Sequence, residues 1–297
     1  MRFARQPQTA SEMPTVRVQG VNFHVEERGS GQPLILLHGF TGSSASWTAI
    51  SDKFAGRNRV IAIDLIGHGA TSEPADPSRY AFEHALDDLI AIADQICVGR
   101  ASWLGYSMGG RLALGLALQF PHRVSSLILE SATAGIQNDD ERHNRAVDDE
   151  ALARRIEDTG VEAFVDEWER LPMWESQRSL PNESRQLQRD LRLRNRAIGL
   201  ANSLRGMGQG SQPSYWGRLT EIETRVLLIA GALDRKFAGI AVQMGVRISN
   251  ATITAVPGAG HAIHLERPGL FADEVNGFLS LQESIEANQA QGRCQWI

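Results

Sequence analysis

Short runs of aliphatic and β-branched residues recur along this 297-residue chain, separated by stretches of helix length with apolar residues three and four apart. PLILLHG (33–39), RVIAIDL (59–65), ASWLGYS (101–107), VSSLILESA (124–132) and RVLLIAGALD (225–234) are apolar almost throughout, as strands covered on both faces must be. That alternation restricts the chain to the α/β class, with a mostly parallel central sheet flanked by helices. A hairpin is expected ahead of it in TVRVQGVNFHVEERG (15–29), and ATITAVPGAGH (251–261) reads as a last strand. The clearest helices are YAFEHALDDLIAIADQI (80–96) and GGRLALGLALQF (109–120), the second ending before Pro121.

The rhythm stops between about 133 and 216, where the chain turns highly charged and helical with no strand-like run. This predicts a helical cap (133–216) inserted after strand 6 of an α/β core formed by 15–132 and 217–287, with loose tails at 1–14 and 288–297. A hydrophobic share of 42% suffices for a large core, and a net charge of −5 offers no basic field for a nucleic-acid backbone, so no such partner is expected. Cys97, in an apolar helical pattern, and Cys294 make no disulfide framework. With no export signal and no stretch near the roughly 18 apolar residues of a membrane span, the expected location is the cytoplasm. Nothing in the sequence sets the oligomeric state.

GYSMGG matches G-x-S-x-G where a strand passes into a helix, the context that makes the motif a nucleophile elbow. The turn leaves no room for side chains beside the serine, which Gly105 and Gly109 satisfy, and Ser107 is pushed out at the carboxyl edge of the sheet. A serine hydroxyl needs an imidazole to take its proton, and the imidazole needs a carboxylate to fix its tautomer. Asp234, ending one strand run, and His261, ending the next, follow Ser107 in the order this fold uses. Ser107, Asp234 and His261 are therefore the expected catalytic residues. Glu130, at another strand end, is read as a surface or cap-contacting carboxylate. In LLHGFTGSSASW the Phe40 amide can converge with that of Met108 into an oxyanion hole. His38 and His68 are read as structural, and His84, His122 and His143 as surface or packing residues. GMGQG (206–210) lacks the strand and lysine of a phosphate loop, and no residue cluster has metal-ligand spacing.

From about Thr15 to Leu281 the chain resembles the α/β-hydrolase superfamily and, within it, the menaquinone-pathway 2-succinyl-6-hydroxy-2,4-cyclohexadiene-1-carboxylate synthases. GYSMGGR, GIQNDDER, SLRGMGQGSQPSYW and DRKF carry the closer likeness. Gln209 stands where a threonine is expected, and both termini extend past the family core. The resemblance implies a lyase on a hydrolase fold: the triad serine takes a ring-side proton and pyruvate is expelled, with no metal or organic cofactor. It also implies a small, carboxylate-rich substrate held by arginines. Arg111, one helical turn after Ser107, would hold a carboxylate near the reacting carbon or, as a structural residue, pair with a cap glutamate. Arg142 and Arg192 match further family positions, with Arg194 and Arg196 at spacings that change the helical face; Gln137, Trp168 and Tyr106 complete the expected pocket.

Two other readings stand beside this one. A capped serine hydrolase, acting on an ester or carbon–carbon bond through an acyl-enzyme, needs the same triad but not the arginines. A non-catalytic binding module on this fold predicts a missing triad member, and none is missing.

Overall fold

The computed structural model describes residues 15–294, with side chains through Leu281. The expected tail at 1–14 and residues 295–297 lie outside the described residues, as does the side chain of Cys294.

Eight strands form one sheet in the order β1-β2-β4-β3-β5-β6-β7-β8. They are β1 (Thr15–Val18), β2 (Val21–Arg28), β3 (Gln32–Leu37), β4 (Asn58–Ile63), β5 (Ala101–Tyr106), β6 (Val124–Glu130), β7 (Arg225–Gly231) and β8 (Ala251–Val256). The expected hairpin is β1–β2, paired antiparallel through a two-residue turn. Gln19 and Gly20 both take positive φ there (47° and 83°), the turn whose twist matches paired strands. β2 pairs antiparallel with β4, and every pairing from β4 across to β8 is parallel.

The central strands are apolar throughout because both of their faces are covered. In β3, Ile35 and Leu37 face one core and Leu34 and Leu36 the other. The first core is filled from α2 (Phe82–Gln95), α3 (Met108–Gln119) and α7 (Arg235–Gly245), the second from α1 (Thr48–Ala55) and α9 (Pro268–Cys294). Cys97, expected within a helix, lies exposed just past α2 with φ 59°.

Between β6 and β7 run α4 (Asp139–Trp168), a 3-10 segment (Pro172–Ser179), α5 (Asn182–Leu193) and α6 (Ala197–Met207). α4 breaks at Gly160, whose φ of 83° no helix interior accommodates. These helices bury a small core of their own, including Ile156, Phe164, Val165, Leu200 and Leu204, against which Phe40 and Trp168 pack. The segment thereby lies over the carboxyl ends of the parallel strands, where an α/β sheet presents its ligand crevice. Among the described residues, no helix is long and apolar enough to cross a membrane.

Candidate active site

Ser107 joins β5 to α3 with φ 50° and ψ −106°, a conformation a non-glycine residue holds at a cost of about 1–3 kcal/mol. Its surroundings enforce the strain. The Ser107 amide donates to the Glu130 carbonyl at 2.8 Å, and the Gly109 amide to the His38 carbonyl at 3.1 Å. A methyl group on Gly105 would come within 2.3 Å of the Gly109 oxygen, and one on Gly109 within 2.2 Å of the Leu37 oxygen. The two glycines let β5, α3 and the end of β3 approach closely enough to hold the hydroxyl out.

His261, on the loop after β8, receives that hydroxyl: Ser107 Oγ lies 3.2 Å from Nε2, while Nδ1 lies 2.7 Å from Asp234 Oδ2. In this arrangement Nδ1–H donates to Asp234, leaving Nε2 free to accept the serine proton. Asp234 is also the N-cap of α7, its other oxygen accepting the Phe237 amide at 3.2 Å. One carboxylate thus caps a helix and orients the imidazole. The Phe40 and Met108 amides flank Ser107 from two different elements, and neither donates to a protein group among the described residues.

His38 braces the Phe40 loop. Its Nδ1–H donates to the Gly39 carbonyl at 2.8 Å and its Nε2 accepts the Leu65 amide at 3.0 Å. Burial lowers its pKa to about 4, so it is a neutral prop. His68, pushed to about 3 by burial and then by His38, packs edge-on to Phe40. Glu130 is not at the surface: it is fully buried and paired with His264 at 2.9 Å. The reason is topological, since β6 is the neighbour of β5 in the middle of the sheet.

A cleft of about 260 Å³ opens over Ser107 and His261. Phe40, Tyr106, Met108, Trp168, Trp174, Leu204 and Phe237 supply apolar walls, and Arg111, Arg145, Ser203 and Gln209 the polar positions away from the triad. Arg111 is buried, 6% exposed, and its partners are neutral: the Gly208 carbonyl at 3.3 Å and Gln212 Oε1 at 3.2 Å. No cap glutamate pairs with it among the described residues. Burial, and secondly the nearby Arg145, lower its pKa to about 10, with Asp149 opposing. It is still charged at neutral pH.

Three expected residues, Gln137, Arg142 and Arg192, do not line this cleft. Gln137 is exposed just before α4. Arg142 lies in the acidic first turn of α4, where it pairs with Asp139 at 2.9 Å. Three residues on, about 4.5 Å along the axis, Arg145 lines the cleft instead. Asp149 holds it at 2.7 Å and Gln209 Oε1 at 3.3 Å. Arg192 faces a neighbouring cleft, paired with Glu169 at 2.8 Å and stacked over Trp174 at 5.3 Å from the ring centre. Of its neighbours, Arg196 pairs with Glu73, away from the cleft. Trp168 and Tyr106 line the cleft as expected, Tyr106 packing on His261 at 5.5 Å. Arg145, Trp174 and Lys236 were not singled out from sequence; the Arg145–Asp149 spacing of one helical turn is the signal that marks Arg145 as held. Among the described residues no cluster of three His, Cys, Asp or Glu side chains is placed to hold a metal ion.

In this arrangement His261 can take the Ser107 proton, and the buried Arg111 has no acidic hydrogen-bond partner among the described residues. Comparisons with known proteins agree with the fold and narrow the kinship. The profile of the alpha/beta hydrolase fold family matches residues 32–268. A putative 2-succinyl-6-hydroxy-2,4-cyclohexadiene-1-carboxylate synthase from Bacillus subtilis (strain 168) is 44% identical over 273 residues, covering 90% of this chain and 99% of that protein. The structure of MenH from S. aureus superposes with a TM-score of 0.84 at 35% identity, covering 88% of this chain and 98% of the other. A thermophilic esterase from Thermogutta terrifontis, with a TM-score of 0.78 and 24% identity over 90% of this chain and 97% of its own, shares the fold alone. The chain belongs to the α/β-hydrolase-fold family and, within it, to the group of the 2-succinyl-6-hydroxy-2,4-cyclohexadiene-1-carboxylate synthases.

Proposed function

We propose that this protein is the lyase that eliminates pyruvate from 2-succinyl-5-enolpyruvyl-6-hydroxy-3-cyclohexene-1-carboxylate, giving 2-succinyl-6-hydroxy-2,4-cyclohexadiene-1-carboxylate in menaquinone or phylloquinone biosynthesis. The observation that carries this reading is Arg111: a buried guanidinium, one helical turn from the nucleophile, with only neutral partners. Such a charge is costly to hold unless a ligand supplies the counter-ion, and a carboxylate-rich substrate does so. A pocket for neutral esters has no use for it.

In the proposed reaction Ser107 accepts the ring proton while its own proton passes to His261, whose charge Asp234 supports. The electron pair of the broken C–H bond becomes a ring double bond, and the ring double bond already present shifts one position, toward the carbon that carries the enolpyruvyl oxygen. The bond to the enolpyruvyl oxygen breaks, and the departing enolate takes a proton to end as pyruvate. The Phe40 and Met108 amides, as oxyanion donors, stabilise negative charge as it develops on a substrate oxygen, an effect worth roughly a hundredfold to a thousandfold per donor. Arg111 and Arg145 fix the carboxylates, and segment 133–216 acts as the cap that excludes water. No cofactor enters these steps.

The second reading, a capped serine hydrolase, draws on the same assembled triad, with Ser107 attacking a carbonyl instead of taking a proton. Pyruvate release from the cyclohexene substrate, measured beside p-nitrophenyl acetate hydrolysis on one preparation, separates the two. Fast release with poor ester cleavage supports the lyase, and the reverse result returns the protein to the hydrolases.

The two arginines of α4 provide a sharper check. Arg145→Ala is expected to lower kcat/KM for pyruvate release by about 10- to 100-fold, the loss of one charge-assisted contact. Arg142→Ala, which removes an ion pair with a largely exposed aspartate, leaves it within about twofold. Steady-state kinetics of both variants test the assignment, and the opposite ranking would overturn it.

A further inference from the structure

Two buried carboxylates outside the triad converge on the loop that carries His261. Glu130 is fully buried and joins the backbone of Ser107 to the segment just after His261. Its backbone carbonyl accepts the Ser107 amide at 2.8 Å. Its carboxylate accepts the His264 amide at 3.0 Å and the His264 ring Nδ1–H at 2.9 Å, three residues beyond His261. Glu266, 4% exposed, accepts the amides on either side of His261: Gly260 at 2.6 Å and Ala262 at 3.3 Å. His264 is itself clamped between the Trp47 ring at 4.5 Å and the Tyr106 ring at 4.7 Å.

The geometry points to Glu130 and Glu266 as positioning residues that hold His261 against Ser107 before any substrate arrives. This inference rests on the triad proposed above. Glu130 ties the nucleophile elbow to the histidine loop in one residue, and Glu266 fixes the loop backbone at the histidine itself. Neither carboxylate lines the cleft, so neither acts on the substrate directly. Buried charges this far from solvent persist only with their hydrogen bonds complete, so the four contacts act as one rigid clamp. A displacement of about 1 Å in catalytic geometry costs roughly a hundredfold in rate. Sub-ångström placement of His261 is what such a clamp provides.

The test compares Glu266→Gln and Glu130→Gln with the unmodified enzyme, with active sites titrated so that only folded protein is counted. Both variants are expected to lose about 10- to 100-fold in kcat for pyruvate release and the same factor in acylation by p-nitrophenyl acetate. KM and the affinity for the cyclohexadiene product stay within twofold. Equal loss on two unrelated substrates is the mark of a displaced base, because a substrate-contact role would raise KM and spare the ester. His264→Asn, which keeps a side-chain N–H donor for Glu130, is expected to retain more activity than His264→Phe, which keeps only the ring packing. Unchanged kcat per titrated site in the glutamine variants, with only a lower Tm, would overturn the proposal. So would equal activity of the two His264 variants. Ser107→Ala run alongside distinguishes the failures: if it too retains activity, the triad reading is wrong, and if it alone is inactive, only the clamp is.

Discussion

Ser107→Ala is expected to lower pyruvate release by at least about a thousandfold while leaving the fold and the product affinity intact. The loss is that of a positioned base, worth roughly 10²–10⁴-fold alone and more when the residues of a triad act as a unit. The fold survives because the substitution removes one atom. Alanine keeps the same Cβ at φ 50°, so the backbone strain neither grows nor relaxes, and the lost hydrogen bond to His261 is a single 3.2 Å contact. Ser107→Gly provides an internal control: glycine adopts positive φ without penalty, so this variant should melt higher than Ser107→Ala while being equally inactive. Thermal melts, product titration and a pyruvate-coupled assay on the two variants suffice. Full activity in either would sink the mechanism, whichever leaving group the enzyme handles.

The triad was legible in the sequence because each member answers a local demand. Gly105 and Gly109 are required by a strand-to-helix turn that tolerates no side chain, and the turn singles out the serine between them. Asp234 and His261 follow the ends of β7 and β8, and parallel strands bring such ends to one edge whatever lies between. The pocket arginines were harder. The stretch DDERHNRAVDDEALARRIED, which became the first part of α4, carries charge on every side, so no apolar stripe reveals which residues face inward. The resemblance pointed to Arg142, whereas the packing of α4 against α6 and the segment 208–212 puts Arg145 on the cleft. Glu130 and His264 lie 134 residues apart, and neither has a local signal of the other. Interactions fixed by turn chemistry and strand order are read from short stretches, whereas those fixed by how the cap settles on the core are not.

Arg111→Met is expected to separate stability from activity. The depression of the Arg111 pKa from the ordinary guanidinium value to about 10 corresponds to about 3 kcal/mol withheld from the folded state. Because the folded value lies below the unfolded one, this cost is fully present at every pH below 10 and fades only as the pH rises through and above it. Methionine fills a similar volume and removes the cost. It also strands Gln212 Oε1, at about 1–3 kcal/mol unless it finds a new partner, while the Gly208 carbonyl keeps the Ser211 and Gln212 amides as donors. The opposing effects nearly cancel, so Tm should stay within a few degrees of the unmodified protein. Activity should not: kcat/KM for pyruvate release is expected to fall by about 10²–10³-fold, the loss of a desolvated charge-assisted contact, while p-nitrophenyl acetate hydrolysis persists. The unmodified protein should also gain stability from a carboxylate ligand, which supplies the missing counter-charge, and the methionine variant should gain much less. Melting curves with and without the cyclohexadiene product, beside the two activity assays, measure all of this. A large drop in Tm with equal loss of both activities would make Arg111 a structural residue, and the case for a polyanion's lyase over an esterase would lose the observation that carries it.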